Sequence, residues 1–247
     1  MGVRGILWCF NLTSQTWEFQ DTMCEQRSYH GSAVISNILY LFGGRSFSSG
    51  TTTDGMEAWD LVTMEPLSTP RALESFCLAA SCVCQGKIYV FGGEEYWREE
   101  PLPWIQCYDP QSNTWTKTES LMVANKGSAA AALGDRILVV GGELWSGVLE
   151  YSPHSGQIST LPGLRYPRAF HGVAVLSGRV YVFGGKDVAN NDETKLYELP
   201  SEWYDTESET WVWLDSLHDD NLIQKCYWEK VFGFGCAVFP AIQYSFD

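Results

Sequence analysis

The strongest constraint on this chain is a glycine pair that recurs behind a short apolar run. It closes Leu39-Tyr40-Leu41-Phe42-Gly43-Gly44, Ile88-Tyr89-Val90-Phe91-Gly92-Gly93, Leu138-Val139-Val140-Gly141-Gly142 and Val180-Tyr181-Val182-Phe183-Gly184-Gly185. The pairs begin at positions 43, 92, 141 and 184, so the spacing is 49, 49 and 43 residues. Self-similarity at a period near ~50 residues marks supersecondary units that bury their faces only by stacking, and with this doublet the units predicted are the blades of a β-propeller.

Each repeat divides into two hairpins. The first pairs a strand of small residues (Gly31-Ser32-Ala33-Val34, Leu78-Ala79-Ala80-Ser81, Gly127-Ser128-Ala129-Ala130 and Gly172-Val173-Ala174-Val175) with the apolar run before the doublet, through turns at Ser36-Asn37, Gln85-Gly86, Gly134-Asp135 and Ser177-Gly178. The second joins an aromatic strand to a returning strand with a large apolar residue, across an Asp/Pro/Ser/Asn turn. Ile105 to Trp115 and Trp203 to Trp211 show it clearly, and the pattern appears alone at Ile6 to Phe19. Named a to d in order, the four strands make a meander. Blades converge at an axis, so strand a needs Gly, Ala and Ser, whereas strand d needs tryptophan to fill the outer wedge. Strand b, covered on both faces, is continuously apolar rather than alternating. The doublet allows positive φ and close backbone approach. Gly43, Gly44, Gly92, Gly93, Gly141, Gly142, Gly184 and Gly185, with Trp17, Trp115 and Trp211, are therefore the expected structural repeat residues.

These residues resemble the kelch repeat, from about Ile6 to about Phe239. Arg168-Ala169-Phe170-His171-Gly172-Val173-Ala174-Val175 and Arg27-Ser28-Tyr29-His30-Gly31-Ser32-Ala33-Val34 are most similar to the kelch domain of BTB-kelch (kelch-like) proteins, without the BTB part. The implied fold class is all-β, a kelch-type β-propeller of four-stranded antiparallel blades. The expected organisation is a single propeller domain over 1–247, with an N-terminal half-blade at 6–19, repeats at 27–64, 71–115, 121–158 and 165–213, and a partial last blade at 229–247. The third repeat has Ile158 and the first Met64 where tryptophan is expected, and the last apolar stretch is followed by no doublet. The count comes to about five blades. Kelch propellers usually have six or seven, so the readings are a five-bladed or incompletely closed ring, or a truncated form of a longer protein, and truncation is favoured.

Composition narrows the function. The formal net charge of −14 argues against phosphate-backbone ligands and anionic membrane surfaces, whose recognition rests on lysine and arginine. No apolar stretch is long enough to span a bilayer, and the N-terminal one is too short for a secretory signal. The eight cysteines sit mostly in strand-like runs and read as reduced core thiols, which places the chain in the cytoplasm or the nucleus.

The longer loops, 45–55, 94–104 and 186–201, are b-to-c connections and emerge on one face with the d-to-a segments, so this face is the candidate binding surface. Basic residues recur just before strand a: Arg27, Arg71, Lys126, Arg168 and Lys230. The family resemblance implies that arginines there grip an acidic or phosphorylated segment of a protein partner, which guanidinium groups hold bidentately. The opposing reading is that repeated positions are structural and these cations pair with neighbouring loops. Tyr96, Trp97 and Trp104 on the second loop are candidate partner anchors, or fold back on their own blade.

Enzyme-like signals are weaker. The acidic clusters at 94–100 and 187–193 read as solvated loops rather than a glycosidase pair. Thr52-Thr53-Asp54-Gly55 only approximates a sialidase Asp box. Of the four histidines, His30 and His171 share one repeat position, which favours packing over metal ligation. Cys77, Cys82 and Cys84 lack the second pair of ligands that a zinc site needs. No catalytic residue, metal or cofactor is expected. The reading is a non-catalytic protein-interaction module, by resemblance the substrate-recognition part of a cullin-RING ubiquitin ligase adaptor. The alternatives are a propeller enzyme of glycoside hydrolase or copper oxidase type, and an actin-associated structural kelch protein.

Overall fold

The computed structural model describes residues 6–11, 13–22, 25–98, 100–118, 122–189 and 199–214. They are all-β, in antiparallel sheets, four of which have the four strands expected of a blade. Two compact units are distinguished, Met1–Ala130 and Ala131–Asp247.

The first unit contains two four-stranded blades. Gly31–Ile35, Ile38–Phe42, Met56–Asp60 and Pro66–Leu67 are strands a to d of the first; Ala80–Cys84, Lys87–Phe91, Ile105–Asp109 and Thr114–Thr118 are those of the second. Their core joins Tyr40, Phe42 and Phe76 to Ile88, Val90, Tyr108 and Trp115. The second unit is built on two more sheets, Ala129–Leu133 (from Ala131 onward), Arg136–Val140, Val148–Tyr151 and Ile158–Leu161, then Gly172–Leu176, Arg179–Phe183, Glu202–Asp205 and Thr210–Trp213. Its core joins Leu138, Val140 and Val148 to Val180, Val182, Tyr204 and Trp211.

Local chemistry fixes the turns. The a-to-b turns at Ser36-Asn37, Gln85-Gly86 and Ser177-Gly178 hold positive φ at both central residues, the twist that matches a two-residue hairpin. In the c-to-d turns a carboxylate accepts backbone N–H groups two or three residues on, as Asp60 does from Val62 and Thr63, Asp109 from Gln111 and Asp205 from Glu207.

Three of the four doublets bond to the start of the next repeat. The N–H of the second glycine donates to a carbonyl just ahead of the following strand a: Gly44 to Phe76 at 2.7 Å, Gly93 to Asn125 at 2.9 Å and Gly142 to Arg168 at 2.9 Å. A Cβ on Gly43 would stand 2.4 Å from the Phe76 ring, and one on Gly141 2.4 Å from the Arg168 carbonyl oxygen. Nothing larger than hydrogen fits.

Two expectations about the wedge are corrected. Trp115 and Trp211 are buried against Tyr108 and Tyr204, each pair with ring centroids 5.2 Å apart. Trp17 meets Phe10 in the same register at 5.1 Å, but is 66% exposed. It lies on a two-stranded hairpin, Ile6–Asn11 with Thr16–Thr22, and among the described residues no strands a and b complete that sheet. Met64 does not replace a wedge tryptophan either. It takes φ +59° in the turn, and Pro66 pairs with Trp59 in the position that Trp115 occupies opposite Tyr108. The partial last blade expected at 229–247 lies outside the described residues.

His171 packs where two doublets meet. Added Cβ atoms on Gly141 and Gly185 would stand 2.6 Å from its Cε1 and 2.7 Å from its Cβ. Burial, helped by the Arg168 charge, pushes its pKa down to about 3. The unfolded chain therefore takes up a proton near pH ~6.5 that the folded chain refuses until the pH approaches its own lower value. Stability from the neutral ring is present above that range and is lost as the pH falls. Thermal unfolding should show a falling midpoint from about pH 7 to about pH 5, before most carboxylates titrate, and a shallower fall in His171→Phe. Parallel curves for the two proteins would contradict this.

Candidate protein-interaction site

The doublet bonds define which residues are equivalent, and they show that the basic residues do not share one register. Phe76, Asn125 and Arg168 accept the doublet N–H groups and so occupy one repeat position. Arg27 occupies it in the first blade, four residues before Gly31, as Arg168 stands four before Gly172. Arg71 lies five residues earlier than this position in the second repeat, and Lys126 one residue later in the third. Lys230 lies outside the described residues.

Arg27 and Arg168 turn inward, as the structural reading of the repeat expects. The Arg168 side chain is fully buried; its Nη1 donates to the Gly184 carbonyl at 2.9 Å, and its Nη2 to the Pro200 carbonyl and Glu202 Oε1, both at 2.7 Å. Arg27 repeats the pattern, donating to the Gly43 and Gly55 carbonyls and to Glu57, with Glu25 as a second counter-ion at 3.2 Å. These guanidinium groups carry their blades' loops and present no charge to a partner. Lys126 is tied to Glu94 at 2.7 Å. Arg71 pairs with Asp54 at 2.6 Å on a side chain 74% exposed, which makes it the accessible member of the set among the described residues.

Sequence reading missed the acceptors. Glu57, Gln106 and Glu202 stand opposite Leu41, Val90 and Val182, so they are one position of strand c. Each receives N–H groups from the d-to-a segment: Glu57 from Glu25, Gln106 from Leu73 and Glu74, Glu202 from Arg165 and Tyr166. The third blade replaces both partners, with Asn125 before strand a and Leu149 on strand c. A polar residue early in every other strand c was the available signal.

The first unit's loops carry exposed aromatic side chains. After Gly44, Arg45 pairs with Ser28, donates from Nε to the Gly50 carbonyl at 2.9 Å and lays its guanidinium 4.4 Å from the centre of the Tyr96 ring. The Tyr96 N–H reaches Thr52 Oγ1 at 3.4 Å, so loop 94–104 of the second blade leans on loop 45–55 of the first. Glu95 fixes the loop, accepting from Ser75 Oγ at 2.9 Å and Arg98 Nε at 2.7 Å. Trp97 meets Tyr96 edge to face, with centroids 4.6 Å apart and planes at 80°. Tyr96 is 44% exposed, Trp97 75%, and Phe47 on the adjoining loop 57%. Trp104 behaves differently. It packs against the first unit's core beneath Arg98 and Lys117, whose charges lie 5.2 and 4.6 Å from its ring centre. Two of the three loop aromatics are thus held open to solvent, and the third belongs to its blade.

Burial pushes the Cys77 thiol up to about 12 and raises Cys107, leaving neither thiolate available near neutral pH. Among the described residues no group of three or more His, Cys, Asp or Glu is placed to hold a metal ion.

Four-stranded blades joined at glycine doublets, with loop-borne aromatics on the b-to-c connections, define a kelch-type repeat protein. Residues 4–142 match the family described as the KLHDC2/KLHL20/DRC7 Kelch-repeats domain, and the chain belongs to the kelch-repeat family. It is 28% identical over 210 residues to Kelch-like protein 38 of Homo sapiens, covering 83% of this chain and 35% of that protein. Spermatocyte protein spe-26 of Caenorhabditis elegans is 29% identical over 211 residues, covering 78% and 36%. Alpha-scruin of Limulus polyphemus is 26% identical over 221 residues, covering 81% and 23%. The chain therefore spans about a third or less of the length of these relatives.

Proposed function

We propose that this chain is a non-catalytic protein-recognition module whose loop-bearing surface on the first unit captures a segment of another protein. The observation that carries the reading is the Tyr96–Trp97 pair, exposed yet held in place by Arg45, Thr52 and Glu95. Rigid, solvent-facing aromatics supply large contact area at low ordering cost and are the usual energetic anchors of interfaces. Similarity to Kelch-like proteins supports a substrate-recognition role in a cullin-RING ubiquitin ligase adaptor, in a cytoplasmic or nuclear setting. Arg27 and Arg168, enclosed in their own blades, offer no guanidinium group to an acidic segment.

Affinity capture with mass spectrometry tests the reading. Trp97→Ala should lose the proteins retained by the intact chain, while unfolding free energy moves by no more than about 0.5 kcal/mol, as for other exposed positions. Arg27→Ala, in contrast, should act through stability. An unchanged set of captured proteins on Trp97→Ala together with Tyr96→Ala would overturn the assignment of this surface.

A further inference from the structure

We propose that the Tyr96–Trp97 surface takes a cationic segment, one that carries lysine or arginine beside an apolar residue. The inference rests on the recognition reading above and adds the charge of what is recognised.

Among the described residues, the lysines and arginines other than Arg165 are already engaged. Twelve lysines and arginines are among the described residues. Nine stand within ion-pair distance of a carboxylate. Arg45 and Arg179 lie over the rings of Tyr96 and Trp203. An acidic segment arriving at this face would have to displace an internal carboxylate for nearly every charge it brought. Carboxylates, by contrast, are in surplus, 30 against 16 lysines and arginines in the whole chain.

Part of the surplus lies beside the aromatics. Residues 94–100 include four glutamates and one arginine. Lys126 and Arg98 neutralise Glu94 and Glu95. Glu100 is exposed and forms no ion pair among the described residues. The loop also shows how it treats its rings: Tyr96 carries Arg45, and Trp104 carries Arg98 and Lys117. Trp97, the most exposed of the three, has no cation over it among the described residues. An indole face is the best aromatic partner for a cation, and nearby carboxylates raise the local concentration of positive charge. Phe47 and Tyr96, both exposed, offer apolar contact to the residue that accompanies it.

The test is a phage-displayed library of random dodecapeptides, panned on the full chain, with selected peptides remade and titrated by fluorescence anisotropy. Enrichment of lysine or arginine next to an apolar residue is expected, with binding weakened by salt, at least ~10-fold weaker on Trp97→Ala, and largely retained on Trp97→Phe. Enrichment of acidic peptides that depend on Trp97 would overturn the charge assignment and leave the recognition reading standing. Cationic peptides that bind Trp97→Ala as tightly as the intact chain would reveal diffuse attraction to an acidic protein and overturn the inference. Failure to recover any Trp97-dependent peptide would count against the recognition reading itself.

Discussion

Glu202→Leu is expected to destabilise the chain by about 3–5 kcal/mol, the scale for stranding one member of a buried ion pair. Arg168 would keep its bonds to the Tyr166, Gly184 and Pro200 carbonyls but lose its ion-pair partner, leaving Asp187 to act on it through charge alone, inside a site with no exposure to water. Burial already draws the Arg168 pKa down, and Glu202 opposes that pull. The Arg165 and Tyr166 N–H groups would lose their acceptor as well. The fold itself contains the control. The second blade fills the same two positions with Phe76 and Gln106, and Gln106 still accepts the loop N–H groups. The double replacement Arg168→Phe with Glu202→Gln should therefore cost less than about half of the single change, since both charges leave together and the acceptor remains. Urea unfolding of the three proteins decides the matter. A double variant as damaged as Glu202→Leu would show that the ion pair is not what the position requires.

Gly93→Ala should cost about 2–5 kcal/mol, combining an unfavourable left-handed backbone with overpacking. At φ +90° the new methyl would stand 2.5 Å from the Cys77 carbonyl oxygen and 2.9 Å from Ala79 Cβ. Movement away from that contact would strain the bond from Gly93 N–H to the Asn125 carbonyl, which links the second blade to the chain segment leading to the third. Gly86→Ala is the matched comparison. Gly86 has φ +73° but nothing within 4 Å of its added Cβ, so only the backbone penalty of about 1–2 kcal/mol should appear. Equal losses at the two positions would mean that the doublet is needed for its φ alone and not for close packing.

The doublets and strand b were legible because their cause is local and repeated. A strand covered on both faces must be apolar throughout, and a joint with no room for a methyl must be glycine. Trp115 and Trp211 followed from the same reasoning. Trp17 did not, since a wedge residue is buried only where a neighbouring sheet covers it, and its sequence context is the same either way. The cations were misaligned because connections between strands differ in length, which moves Arg71 and Lys126 out of register with Arg27 and Arg168. The same variation hid the acceptors: Glu57, Gln106 and Glu202 lie 14, 14 and 18 residues after the first glycine of their doublets. Exposure of Tyr96 and Trp97, against the inward packing of Trp104, turns on one turn, in which the Arg98 N–H bonds to the Glu95 carbonyl at 2.9 Å. Nothing in the identity of the three aromatics distinguishes them.

The central claim is that the loops of the first unit, and Trp97 above all, are where this chain meets its partner. Hydrogen exchange on the full chain, with and without a captured client, tests it most directly. Slowed exchange confined to loops 45–55 and 94–104, and abolished by Trp97→Ala, is the predicted result. Protection elsewhere with those loops unchanged would contradict it.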